Sequence, residues 1–348
     1  MISNNLKSKL LLPAVFFLTG VIGMSTKLFA TRGDPLLLLQ HPSMSQTQIV
    51  FEYGGEIWEV PRTGGVAHIL ASGMDVESMP IFSPDGSMVA FSGTYDKNTD
   101  VYVISANGGQ PERLTWHPYP DIAVGWSVNG REVLFRSHRY AYSDPNQLYN
   151  VSLTGGLPQQ LPLDMAEDGS YSPDGTQIAF VPNFQWEPFW KGYKGGQHTQ
   201  IWIARLSDSH TTRIPDLNSN EDNPMWVENK VYFLSDRDGP ITLFSYDVSN
   251  GQVSKVINNT GFDITSASAG PGGIIYSQFG QIFIYDFATG KTSMVPITVN
   301  GDLPQRRPYF QDASGEIGDA DISPNGVRVV FEAHGDILTV PTKDGSLL

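Results

Sequence analysis

Ser83-Pro84-Asp85-Gly86-Ser87-Met88-Val89-Ala90-Phe91 joins a four-residue turn to a strand that closes on an aromatic ring. Proline presets the backbone for the second turn position, aspartate caps its own chain, and glycine supplies the freedom needed to leave the turn. The turn recurs as Ser172-Pro173-Asp174-Gly175 and Ser323-Pro324-Asn325-Gly326, with a looser copy at Ser127-Val128-Asn129-Gly130. The strand after it closes on Phe51, Phe91, Phe135, Phe180, Phe233, Tyr276 and Phe331, at intervals of 40, 44, 45, 53, 43 and 55 residues. A second strand follows each time with the alternation of a half-buried strand, as in Asp100-Val101-Tyr102-Val103-Ile104 and Gln281-Ile282-Phe283-Ile284-Tyr285. Turns such as Asn107-Gly108-Gly109 then lead to an outer strand such as Glu112-Arg113-Leu114-Thr115. With the segment before each turn, the unit has four strands, and four-stranded antiparallel units of about 40–45 residues are propeller blades.

The pattern predicts an all-β chain. Residues 36–298 make a six-bladed β-propeller of four-stranded antiparallel blades, residues 299–319 a linker, and residues 320–348 an incomplete blade of a following propeller. A single seven-bladed ring would require the linker, with Pro304, Arg306, Arg307 and Pro308, to serve as an inter-blade loop of unusual length.

Composition agrees and narrows the function. The 348 residues include 35 glycines and 24 prolines, an excess suited to many turns, and 40% are hydrophobic, ample for a packed core. A net charge of -14 argues against a nucleic-acid partner, whose phosphates attract a basic face. The absence of cysteine removes disulfides, thiolate metal sites and cysteine nucleophiles. Residues 1–30 read as a signal peptide, with Lys7 and Lys9 before the apolar run Leu10 to Met24 and Ala30 at a plausible cleavage point. The expected location is periplasmic or secreted. The run is short for a membrane span, so a membrane association would require the signal to stay uncleaved.

More specific stretches carry a resemblance. Phe91-Ser92-Gly93-Thr94-Tyr95-Asp96-Lys97-Asn98-Thr99-Asp100-Val101-Tyr102-Val103, Asn223-Pro224-Met225-Trp226, Phe233-Leu234-Ser235-Asp236-Arg237-Asp238-Gly239 and Val330-Phe331-Glu332-Ala333-His334-Gly335-Asp336-Ile337, in this order, resemble the N-terminal half of the tricorn protease family. The repeat itself is that of TolB-type and dipeptidyl-peptidase-type propellers. The resemblance covers nearly everything after residue 35. It implies a six-bladed propeller followed by a second propeller, a PDZ-like domain and a serine peptidase core, with nucleophile, histidine and oxyanion donors all downstream of this chain. The implied role is peptide binding, gating or product passage in proteolysis, with no catalysis by this portion alone and no cofactor. The implied partners are peptides or the downstream protease domains, and oligomers are compatible with it. Other members of the family imply a cytoplasmic location as the alternative. A free-standing TolB-like periplasmic binding propeller is the competing function.

The residues contain no other clear chemistry. Gly125-Trp126-Ser127-Val128-Asn129-Gly130 has the wrong spacing for a nucleophile elbow, and no histidine pair has zinc spacing. Asp96-Lys97-Asn98-Thr99-Asp100 begins like a calcium loop but has Val101 and Asn107 where glycine and glutamate are needed, so it reads as a polar hairpin tip. Asp75, Asp121, Asp222 and Asp263 precede or open inner strands and could form a carboxylate rim of the kind a propeller glycosidase or lyase uses, or simply be solvated turns.

Two stretches have more weight. Phe184 to Lys194 carries five aromatic residues on a loop, Trp186, Phe189, Trp190 and Tyr193 among them, which either pack on a neighbouring blade or form a docking loop. Arg136 and Arg139 follow the third blade's aromatic strand. The resemblance implies that basic residues on this propeller anchor a peptide's C-terminal carboxylate, and these two are the best matches by position. The planar fork of arginine suits a carboxylate, while an ordinary surface ion pair with a local acid is the alternative.

Overall fold

A computed structural model describes residues 38–139, 145–183, 193–300, 315–333 and 335–343 of the chain. The chain divides into two units at Asn300, and each is treated separately below. The first unit holds six antiparallel sheets in chain order. Their innermost strands are Gln40–Met44, Val76–Phe82, Ile122–Trp126, Asp168–Tyr171, Glu221–Val227 and Ile264–Gly270. Each inner strand pairs with the strand that closes on the repeat's aromatic, and two further strands complete the blade. This is the β-propeller expected from the turn pattern.

The turns behave as their residue types require. In the first Ser-Pro-Asp-Gly copy the Ser83 hydroxyl donates to Asp85 at 2.6 Å and accepts from the Met88 amide at 3.0 Å. The copy at Ser172 repeats both bonds at 2.6 and 2.9 Å, and the Ser323 copy uses Asn325 in the same way at 2.8 Å. These aspartates are structural: donors from serine and from the backbone hold the Asp85 and Asp174 carboxyls below their ordinary range.

The repeating aromatics lie between blades rather than at one common centre. Phe91 packs with Val50, Ile57 and Phe82 across the first seam, and Phe135 with Val101, Val103 and Trp126 across the second. Phe180 and Phe233 occupy the next two seams, and Tyr276 joins Met225, Leu234 and Leu243 in the fifth. Across four seams an inner-strand amide donates to a side chain of the preceding blade. Ser43 accepts from Phe82, Ser92 from Ala123, Ser170 from Trp226, and Asn223 from Ala267, at 2.7–3.1 Å. Asn223 sits at a β-bulge with a φ of 57°, a conformation asparagine tolerates better than most residues.

The ring closes between the sixth and first blades. The Leu39 amide donates to the Gly280 carbonyl at 3.1 Å, and Arg62 bridges the Ser45 and Pro271 carbonyls at 3.0 and 2.6 Å. A further closure was not expected from the sequence. After the sixth blade, Ile297–Val299 returns to lie parallel to Gly65–Ala71, making a fifth strand on the outside of the first blade. The Gly65 amide donates to the Pro296 carbonyl at 2.8 Å, and Gly64, with a φ of 87°, leaves room for that carbonyl where a Cβ would collide with it. Residue 299, assigned to the linker by the sequence pattern, thus belongs to the ring.

The second unit is a three-stranded antiparallel sheet of Ile317–Ile322, Arg328–Ala333 and Asp336–Pro341. Its first strand opens two residues before the expected linker boundary of 319. Apolar side chains on it are exposed, Ile337 by 79% and Ile322 by 56%. Residues 1–30, and with them the expected signal, lie outside the described residues, as do 301–314 of the expected linker. Among the described residues no helix is long and apolar enough to cross a membrane.

Candidate functional site

The inner strands surround a cavity of about 820 Å³ lined by residues of all six blades. Its charged lining is concentrated on blades three, four and five. Arg136 stands one residue past the third blade's aromatic and faces Glu167 and Asp168 at the start of the fourth inner strand. Its guanidinium donates to the Glu167 carbonyl at 3.2 Å and lies 3.7 Å from the Glu167 carboxylate. Glu167 accepts two further bonds from Asn146, both 3.0 Å. Asp222 on the fifth inner strand lines the same cavity, and Asp168 and Asp222 each accept one bond from the next amide along the chain, at 2.7 and 2.8 Å.

Blade geometry sorts these acids. Asp168 pairs with Val181 and Asp222 with Leu234, each one residue past the blade's aromatic, so the two aspartates hold equivalent places. Of the preceding acids, Glu221 turns into the blade and is buried, as are Asp121 and Glu77 on blades three and two, whereas Glu167, also largely buried, keeps its carboxylate beside Arg136 in the cavity lining. Successive residues of a strand point to opposite sides. At Glu221-Asp222 this alternation sends one carboxylate into the blade and one into the channel.

Desolvation raises the Asp168 carboxyl to about 7, helped by the negative charge of Asp222 and opposed by Arg136. Asp222 is raised in the same direction by the same surroundings. In an unfolded chain Asp168 ionises near its ordinary value of about 4. Its cost to the fold is thus absent below that value, grows as pH rises towards 7, and stays constant above. Asp168→Asn should stabilise the protein at pH 8 by roughly 1–2 kcal/mol, discounting for channel water, and hardly at all at pH 4. Melting temperatures of both proteins at the two pH values check this, and an equal gain at both would contradict it.

Of the described residues proposed from the sequence as arginine anchors, docking aromatics or rim aspartates, only Arg136 and Asp222 line the channel. Arg139 does not converge with Arg136. Its guanidinium pairs with Asp121 at 2.5 Å, with both side chains buried, and lies over the rings of Phe135 and Tyr149 at 5.1 and 5.2 Å. Arg237 repeats the arrangement on blade five, paired with Glu221 and lying over Phe233 and Phe244 at 5.3 and 5.0 Å. Each arginine follows its blade's aromatic by four residues, so the pair is a latch within the blade. The acid partner of Arg139 is local, but the pair is buried and not the surface ion pair expected as the alternative. Asp263 caps the Ile241 amide at 2.7 Å and Asp75 is exposed outside the channel lining, so the four aspartates do not make a common rim.

Trp186, Phe189 and Trp190 lie outside the described residues. Tyr193 is half-buried, and its carbonyl accepts from Asn220 of the next blade at 3.3 Å. Sequence reasoning missed Asp168 and Thr199. The first was legible by aligning Glu167-Asp168 with Glu221-Asp222. The second, on the segment before the strand Trp202–Arg205, had no signal. Aromatic side chains are exposed at the channel end where inner strands begin: Tyr95, Trp116, Tyr119, Phe262 and Phe279. Phe262 and Phe279 stack there with ring centroids 4.0 Å apart.

A family model described as the tricorn protease N-terminal beta propeller domain matches residues 36–291. A tricorn protease homolog of Saccharolobus solfataricus is 26% identical over 310 residues, which is 88% of this chain and 28% of that protein. A putative tricorn-like protease N-terminal subunit of Sulfurisphaera tokodaii is 22% identical over 169 residues, 47% of this chain and 85% of that one. Among solved structures, the crystal structure of the tricorn protease superposes with a TM-score of 0.68 at 23% identity, over 90% of this chain and 31% of that chain. The chain thus spans less than a third of the length of the full-length tricorn relative.

Proposed function

The chain belongs to the tricorn protease N-terminal propeller family, and from that membership we propose that it is the propeller module of a tricorn-like protease, binding or passing peptides through its central channel while residues outside this chain cut them. The observation that carries the reading is the channel itself. At about 820 Å³ it has room for several residues of extended peptide, and its charged lining sits on neighbouring blades where one strand of peptide could meet it. The exposed aromatic end supports a docking role for that face, since such surface on a soluble protein usually belongs to an interface. The remainder of a tricorn-like protease is the partner of suitable size, given that relatives extend far beyond this chain.

Calorimetric titration of the purified chain with unblocked hexapeptides tests the reading, paired with an assay for cleavage of the same peptides. Saturable binding without cleavage is the expected outcome. Cleavage abolished by a serine-directed inhibitor would place the catalysis in this chain and overturn it.

A further inference from the structure

We propose that the channel recognises a primary ammonium group of the peptide, with Asp168 and Asp222 as its counter-charges and the Thr199 hydroxyl as a further acceptor. The proposal rests on the peptide-binding reading above and gives that binding a polarity. It also reverses the expectation attached to Arg136, that a carboxylate is held there.

The charge balance of the lining points to the cation. Glu167, Asp168 and Asp222 face Arg136, which is the one arginine or lysine among the described lining residues. Arg136 is already engaged by the Glu167 carbonyl and carboxylate. The remaining groups around the pair, Ser170 on the fourth inner strand, Asn223 on the fifth, and Thr265 and Ser266 on the sixth, carry no charge. His41, also in the lining, is paired with Glu52 at 2.9 Å, and Glu228 adds another negative group. A carboxylate entering this place would meet like charge, and an ammonium would meet opposite charge.

Hydrogen-bonding capacity agrees. A carboxylate offers about four acceptor sites, yet among the described residues Asp168 and Asp222 each receive a single bond, from the following amide. Thr199 lines the same cavity, is only 1% exposed, and its hydroxyl has no partner among the described residues. Its carbonyl accepts from the Glu221 amide at 3.0 Å, which sets the Thr199 backbone beside the residue preceding Asp222. Leaving a buried hydroxyl without a partner is costly, and a bound donor would remove that cost. An ammonium has three donors and no acceptor. Two carboxylates and a hydroxyl match it.

The ammonium has two sources in a peptide, the N-terminus and a lysine side chain, and four hexapeptides separate them. One is unblocked, one is N-acetylated, one is C-amidated with a free N-terminus, and one is N-acetylated with an internal lysine. Calorimetric titration at pH 7.5 should show N-acetylation weakening binding by about tenfold or more, the loss expected for one charge-assisted contact. C-amidation should leave affinity unchanged or improve it. Recovery of affinity in the acetylated lysine peptide assigns the site to any ammonium, and no recovery assigns it to the N-terminus; either supports the proposal. Asp222→Asn, which keeps the side-chain shape, should abolish the preference without lowering the melting temperature. Equal affinity for acetylated and unblocked peptides would overturn the ammonium site while leaving peptide passage standing. Weaker binding of the amide would overturn it in favour of a carboxylate anchor at Arg136. Failure of all four peptides to bind would overturn the peptide-binding reading and this proposal with it.

Discussion

Arg237→Ala should destabilise the propeller by about 3–5 kcal/mol, because it strands the Glu221 carboxylate, fully buried, without its counter-charge. The substitution also takes the guanidinium off the faces of Phe233 and Phe244. For a ring of this size that energy corresponds to a fall in melting temperature of about 10 °C. Arg139→Ala should behave alike, since Asp121 is equally buried. Arg136→Ala should cost about 1 kcal/mol or less, because that arginine is partly open to the channel and its loss relieves no buried carboxylate of its sole partner. Pairing Arg237→Ala with Glu221→Gln should recover part of the loss by removing the stranded charge. Thermal and denaturant unfolding of the four proteins measures this series. If Arg237→Ala and Arg136→Ala were equally mild, the latch interpretation would fail.

Ending the chain after Val295 should open the ring, whereas ending it after Asn300 should leave it closed. The five residues between these ends include Pro296 and the strand Ile297–Val299, bonded along the outside of the first blade. Several backbone bonds at about 1 kcal/mol each make the strand worth on the order of 2–4 kcal/mol. It also spans the single seam at which the first and last blades must find each other. Gly64→Ala attacks the same clasp without shortening the chain: the φ of 87° is unfavourable for alanine, and the new methyl would press on the Pro296 carbonyl. Unfolding midpoints of the two shortened chains and of Gly64→Ala decide the matter. A chain ending at Val295 that melts with the full-length protein would show the clasp to be dispensable.

The architecture was legible because the repeat couples turn chemistry to periodicity. Ser-Pro-Asp-Gly can only be a tight turn, and an aromatic at a fixed distance from it can only mark a recurring buried place. The clasp was not legible, since Ile297-Thr298-Val299 is too short to show alternation and pairs with a partner more than two hundred residues away. The candidate site was half legible. Arg136 and Asp222 could be picked out by residue type and position, but which of two neighbouring residues faces the channel depends on strand register, and register is written across two strands rather than in either. That is why Arg139, three residues from Arg136 on the same stretch, turned out to be occupied inside the blade. The partners of Asp168 were hidden for the same reason: they come from different blades.

The placement of the repeating aromatics in the seams bears on how such a chain can change over time. Each of the described apolar clusters draws on two adjacent blades. A substitution in one seam needs an answering substitution only across that seam, and the others do not register it. The ring can therefore drift seam by seam, each settling its own fit, with no central core whose geometry every residue must respect.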